Sequence, residues 1–308
     1  MSILERAAEQ LRREQPDRPS TRPTAGQASS QEQPVPPPSA AETTQLLDEE
    51  LHSRAAATDR LTPSLDFKTL EALGYLSPGN QRGRLAEEYR LIKRPLLRNA
   101  FVQGAVAVER GNLIMFTSAV QGEGKTFTTL NLAISMAMEY DYTVMLIDSD
   151  VLRPALSRFL GYDQHPGLVD LLRAPNVQPS DVILHTGMPK LRLIPAGRTR
   201  GRTTELLASE AMRNLTQEFA VRYDDRIVLF DAPPLLMTSE ASVLAHWMGQ
   251  IMVVVEEGRT PESAIKESVA LLDKDKALGT ILNKSRGFLR GYYYYGGYYG
   301  YYGSERQA

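Results

Sequence analysis

The sequence predicts a doubly wound α/β fold, in which a mostly parallel sheet carries helices on both faces. Three observations lead there. Short, continuously apolar runs recur along the last two thirds of the chain with amphipathic stretches between them, the pattern of buried parallel strands and their crossover helices. The first strong run is followed at once by a glycine-rich turn and a helical stretch. Finally, the 308 residues are 42% hydrophobic, enough to fill a sizeable core. No repeat of solenoid type is present.

Taken in order, residues 1–14 predict a short amphipathic helix, with Ile3, Leu4, Ala7, Ala8 and Leu11 at helical spacing and Ser2 as N-cap. Residues 15–45 are rich in Pro, Ser and Gln and include Pro34-Val35-Pro36-Pro37-Pro38. Such a stretch buries too little apolar surface to offset its ordering entropy, and is expected to be a linker. Residues 46–86 form a lead-in, with a weak helix over Leu46 to Arg60 and an extended segment from Leu61 to Phe67. The main domain is placed at 87–286. Its strands are expected at Asn112–Thr117, Thr143–Ile147, Leu191–Ile194, Arg226–Phe230, Gln250–Val255 and Leu278–Leu282. Its helices are expected at Lys125–Glu139, Thr204–Tyr223, Ser239–Trp247 and Pro261–Asp273. Residues 287–308 form a tail expected to be a flexible appendage, since eight of the 14 tyrosines lie there among six glycines.

Composition excludes several classes of function. Lys+Arg 35 against Asp+Glu 37 leaves a net charge of -2, with no overall basic field for nucleic acid. The absence of cysteine removes disulfides, thiolate metal sites and cysteine nucleophiles. Four scattered histidines do not suggest a zinc site. No apolar run approaches the roughly 18 residues of a membrane span, and the N-terminus lacks a leader's apolar core. An intracellular, soluble chain is expected.

The chemistry gathers where the first strand ends. Ala119-Val-Gln-Gly122-Glu123-Gly124-Lys125-Thr126, then Phe127, lies between strand and helix, which is the context of a phosphate-binding loop. The usual pattern begins with Gly, and Ala119 stands there. Backbone N–H groups of Gly122 to Phe127 and the helix dipole would hold nucleotide phosphates. Lys125 would neutralise the β/γ oxygens of ATP, and the Thr126 hydroxyl would ligate Mg²⁺. Two later strands end in carboxylates: Asp148-Ser149-Asp150 after the second, and Asp231-Ala232-Pro233-Pro234 after the fourth. Parallel sheets bind ligands at the carboxyl ends of their strands, so all three aspartates are candidates for the site. Asn283, ending the last strand, is a candidate adenine contact and equally a turn residue.

With these motifs the sequence resembles the bacterial tyrosine autokinases, phosphate-loop proteins unrelated to eukaryotic-type protein kinases. The resemblance rests on Gly122 to Thr126, on Asp148-Ser149-Asp150 with Arg153-Pro154, on Asp231 to Pro234 and on the tyrosine tail. Leu152 occupies the place where family members carry Arg, and Arg153 follows one position later. The resemblance implies a kinase in which Asp148 takes the tyrosine proton, Asp150 is a metal-site carboxylate and Asp231 holds Mg²⁺, with Lys125 on the phosphates. It also implies autophosphorylation of Tyr292, Tyr293, Tyr294, Tyr295, Tyr298, Tyr299, Tyr301 and Tyr302. Glu87, Arg90 and Lys93 resemble the family's Glu-x-x-Arg-x-x-Arg helix, with Lys93 replacing the last Arg, and are expected at a subunit contact.

Tyr302 lies 18 residues beyond Lys284, and a flexible chain of that length reaches about 25 Å, enough for transfer between neighbours in a homo-oligomer. By resemblance the partners are copies of the same chain, a membrane chain-length-determinant protein acting as activator, and a cognate tyrosine phosphatase, but no nucleic acid. The implied setting is exopolysaccharide synthesis and export, in the cytoplasm at the inner face of the plasma membrane. The alternative is a partitioning-type ATPase, a nucleotide switch without kinase activity. Those proteins carry a signature lysine where Val120 stands here, and lack a tyrosine tail.

Overall fold

A computed structural model describes residues 65–102, 104, 107–198, 203–222 and 224–285. The chain divides into two units between Ala55 and Ala56, and every described residue belongs to the second. The helix expected over 1–14, the linker over 15–45, the helix over Leu46–Arg60 and the tyrosine tail lie outside the described residues.

Two helices precede the sheet, α1 (Phe67–Ala72) and α2 (Arg84–Phe101). Of the extended segment expected from Leu61 to Phe67, residues 61–64 lie outside the described residues, and Phe67 instead opens α1, which Asp66 caps by accepting from the N–H groups of Lys68 and Thr69. The sheet then alternates with helices: β1 (Leu113–Ser118), α3 (Lys125–Ala137), β2 (Thr143–Asp148), α4 (Ala155–Phe159), α5 (Leu168–Arg173) and α6 (Pro179–Val182). There follow β3 (Leu184–His185), β4 (Leu191–Ile194), α7 (Thr203–Leu207), α8 (Glu210–Val221) and β5 (Arg226–Asp231). The last elements are α9 (Ser239–Trp247), β6 (Gln250–Glu256), α10 (Glu262–Ala270) and β7 (Ala277–Asn283).

The strands lie in the order β3-β4-β2-β5-β1-β6-β7, and every pairing is parallel except β3 with β4. This is the doubly wound, mostly parallel sheet that the apolar runs predict. Residues alternate between its faces as the pleat requires. Met115, Ile147, Phe230 and Val253 pack on one side with Met212 and Phe219 of α8 and Leu244 of α9. Ile114, Leu146, Leu229 and Val254 pack on the other with Leu96 of α2 and Leu130 and Ile134 of α3. Each such side chain contributes about 1.5–3 kcal/mol by leaving water.

The single helix expected over Thr204–Tyr223 is two. Ser209 breaks it by capping α8, its hydroxyl accepting from the Met212 N–H at 3.3 Å. The short helices α4, α5 and α6 and the two-residue β3 had no period long enough to read in sequence. Among the described residues no helix is long and apolar enough to cross a membrane.

Candidate active site

The sheet brings the strand-end carboxylates together by register. Asp148 of β2 and Asp231 of β5 are paired positions on neighbouring parallel strands, and Asp231 pairs in turn with Phe116 of β1. The loop from Ala119 to Gly124 leaves β1 beside them and delivers Lys125 and Thr126 as the first residues of α3. A cleft of about 770 Å³ opens at this edge, lined by Gly122, Gly124, Lys125, Thr126 and Asp150 together with Arg153, Arg158, Pro233, Pro234, Met237 and Thr238.

Inside the cleft the charges are paired across elements. Lys125 Nζ lies 3.1 Å from Asp150 Oδ2 and 3.8 Å from Asp231 Oδ1. Burial alone pulls the Lys125 ammonium down, but Asp231 and Asp150 more than reverse this and hold it above its ordinary value. The lysine is therefore a fixed positive charge at the N-terminus of a 13-residue helix, where the backbone dipole also favours an anion. Thr126 Oγ1 donates to Asp231 Oδ2 over 2.7 Å, and Thr129 Oγ1 donates to the Lys125 carbonyl over 2.8 Å. Burial raises the Asp231 carboxyl, with Lys125 and Thr126 acting against the rise.

The two aspartates after β2 are not equivalent. Asp150 lines the cleft, and its Oδ1 accepts from the Arg153 N–H at 3.2 Å. Asp148 is fully buried behind it, with Oδ2 accepting from both the N–H and the hydroxyl of Ser157 at 2.8 and 2.7 Å. Burial, with Asp231 beside it, pushes Asp148 up to about 7.

Other candidates fall out differently. Gly122 and Gly124 hold φ of 90° and 93°, and a Cβ on Gly124 would stand 2.0 Å from Asn283 Nδ2. Glu123 turns its carboxylate away from the cleft: Oε2 accepts from the Val120 N–H at 2.8 Å, and Oε1 accepts from Thr260. Phe127 packs its ring 4.6 Å from that of Tyr75. Asn283 lies against the loop, its Nδ2 donating to the Glu123 carbonyl over 2.8 Å. Glu87 and Arg90 form a half-buried pair at 2.6 Å on α2, whereas Lys93 is buried, donating to the Ser135 carbonyl at 2.6 Å and pairing with Glu139 at 2.6 Å.

Several neighbours escaped sequence reasoning. Arg158, Met237 and Thr238 line the cleft, and Ser157, Thr260 and Lys284 support its walls. Only Lys284 had a signal, its place directly after Asn283.

The donor set suits a nucleotide triphosphate with a hard divalent cation. Lys125 and the α3 N-terminus would meet phosphate oxygens, and the Thr126 hydroxyl with Asp150 and Asp231 would supply the oxygen ligands such a cation takes alongside phosphates.

No family model matches the chain. Among known proteins, tyrosine-protein kinase ptk of Acinetobacter johnsonii is 30% identical over 179 residues, 58% of this chain and 24% of that protein. The chain thus corresponds to about a quarter of that relative's length. Tyrosine-protein kinase YwqD of Bacillus subtilis is 30% identical over 217 residues, covering 70% of this chain and 86% of that protein. Among solved structures, the kinase domain of Escherichia coli tyrosine kinase ETK aligns with a TM-score of 0.56 at 28% identity, over 63% of this chain and 73% of that one. The match to YwqD takes in 86% of that protein. By that match, and by the site described above, the chain belongs to the bacterial tyrosine-protein kinase family.

Proposed function

We propose that this chain is an ATP-dependent protein-tyrosine kinase that phosphorylates its own C-terminal tyrosines, Tyr292 to Tyr295, Tyr298, Tyr299, Tyr301 and Tyr302, between neighbours in a homo-oligomer. One observation carries the reading. Lys125 and Thr126, at the start of α3, are bonded to Asp150 and Asp231, at the ends of two other strands. Phosphoryl transfer needs positioning and charge neutralisation more than covalent chemistry, and these side chains supply both, Lys125, Asp150 and Asp231 as charges and Thr126 as a hydroxyl.

In the proposed reaction the phenol oxygen of a tyrosine bonds to the γ-phosphorus of ATP, the bond to the β–γ bridging oxygen breaks, and ADP leaves. Bound Mg²⁺ supplies charge neutralisation on the phosphate oxygens. Lys125 holds the β/γ oxygens, Thr126 and Asp231 orient the cation's side of the site, and Gly122 to Phe127 offer backbone N–H groups. The phenol proton is assigned to Asp150, which a phenol reaches from the cleft, whereas Asp148, the base that the resemblance implies, is fully buried with Oδ2 occupied by Ser157.

Glu87 and Arg90, half-buried on α2, are the candidates for the subunit contact, with Lys93 fixing α2 from beneath. A membrane chain-length-determinant protein as activator, a tyrosine phosphatase as its antagonist, and exopolysaccharide export at the inner membrane face complete the reading. The test is phosphotyrosine formation by the full chain with Mg-ATP, compared with Lys125→Met. Hydrolysis of ATP without phosphotyrosine, with and without a cytoplasmic peptide of the membrane partner, would instead select the nucleotide-switch ATPase.

A further inference from the structure

Two consecutive peptide planes of the phosphate loop are tied down from one place, the end of β7. Lys284 Nζ donates to the Gly122 carbonyl over 2.7 Å, and Asn283 Nδ2 donates to the Glu123 carbonyl over 2.8 Å. The Lys284 ammonium is itself steadied by Glu256 Oε2 at 2.9 Å.

In a planar trans peptide the carbonyl and the following N–H point in opposite directions. Holding the Gly122 carbonyl on Lys284 therefore sets the direction of the Glu123 N–H. Holding the Glu123 carbonyl on Asn283 does the same for the Gly124 N–H. An anion nest needs successive N–H groups facing the ligand, and a plane flipped the other way presents a carbonyl's negative end to phosphate. Glycine makes that flip cheap, since both Gly122 and Gly124 sit at positive φ and glycine crosses between backbone regions with little strain. The Glu123 carboxylate fixes the start of the loop through Val120 but not these two planes.

We propose that Asn283 and Lys284 are positioning residues that keep the N–H groups of the phosphate loop turned inward, preorganising it for the phosphate chain of its ligand. The inference rests on the loop being a nucleotide site and adds two residues that act through the backbone of Gly122 and Glu123. It gives Asn283 work distinct from the adenine contact expected from its strand-end position. A preorganised loop favours every ligand with a phosphate chain by the same factor, whatever base is attached.

The test measures binding of Mg-ATP and of magnesium tripolyphosphate, which has no base or sugar, to the full chain by calorimetry. Asn283→Asp keeps the shape and turns the donor into an acceptor. Lys284→Met keeps the stem without the ammonium, and Lys284→Arg restores a donor. Asn283→Asp and Lys284→Met are expected to weaken both ligands by similar factors, roughly tenfold for one lost hydrogen bond in such a site. Lys284→Arg should recover most of the loss, with ligand-free melting temperatures little changed. Should Asn283→Asp disturb folding, the Lys284 pair decides alone, since that side chain is half-exposed. Wild-type affinities in Lys284→Met overturn the proposal. So does an Asn283→Asp chain that loses Mg-ATP alone, which would return Asn283 to the base. A wild-type chain that binds neither ligand overturns both this inference and the nucleotide reading.

Discussion

The Thr126 hydroxyl spends its proton on Asp231, donating to Oδ2 over 2.7 Å between residues 105 positions apart in sequence. A hydroxyl has one proton and two lone pairs, so this bond leaves the lone pairs free for a cation at the cleft. Thr126→Val keeps the volume and removes the oxygen. The transfer rate at saturating ATP is expected to fall about 100-fold, in the range of losing one charge-stabilising contact, while Thr126→Ser stays near wild type. A magnesium titration of initial rates checks it, and a valine variant within threefold of wild type would contradict it.

Gly124 is confined twice, by its φ of 93° and by Asn283 Nδ2, which lies 2.0 Å from where a Cβ would stand. Gly124→Ala is expected to cost about 1–3 kcal/mol and to abolish nucleotide binding, because the Asn283 amide must leave the loop. Urea denaturation with calorimetry of Mg-ATP binding reads both. Gly74→Ala, also at positive φ but with open space around it, is expected to lose stability alone.

Lys93 and Arg90, three residues apart on α2, should respond to different degrees. Lys93 is buried in a pair with Glu139 and bonded to the Ser135 carbonyl, so Lys93→Met should lower stability by about 2 kcal/mol. Arg90 pairs with Glu87 at the surface, and Arg90→Ala should cost less than about 1 kcal/mol. On the proposed subunit contact, Arg90→Ala also reduces oligomer size by light scattering. An unchanged size removes Arg90 from the contact.

Burial pushes the Tyr89 phenol, on α2, from 10.0 up to about 12. Its contribution to stability is complete below 10. As pH rises from 10 through 12 the unfolded chain releases this proton and the folded one keeps it, so stability falls across that window. The loss is roughly 2 kcal/mol, and Tyr89→Phe should flatten it in urea melts taken at successive alkaline pH values. The same burial removes Tyr89 from the acceptors, so no phosphate is expected there by mass spectrometry.

The sheet was legible because its strands are continuous apolar runs, and a buried parallel strand can hardly be written otherwise. Lys125, Thr126, Asp150 and Asp231 were legible because the topology places the carboxyl ends of the parallel strands on one edge. The inward turn of Glu123 was not, since its partner Thr260 lies 137 positions away on the turn after β6, and nothing in a local pattern links them. The burial of Lys93 was hidden for the opposite reason. In a run of charges its position looks like a solvated face, and only the packing of α2 on α3 turns it inward. Ser209 was a missed local signal, a good N-cap residue followed by helix formers.

In the proposed function phosphate moves from ATP directly to the tail tyrosines, with Lys125 holding the β/γ oxygens. This transfer is tested most directly by mass spectrometry of the full chain after incubation with Mg-ATP and a cytoplasmic peptide of the membrane partner, beside Lys125→Met and a truncation after Arg290. The expected result is phosphate on residues among Tyr292 to Tyr302 in the wild type, and no phosphotyrosine in either variant. ATP consumed by the wild type with every tyrosine unmodified would contradict it.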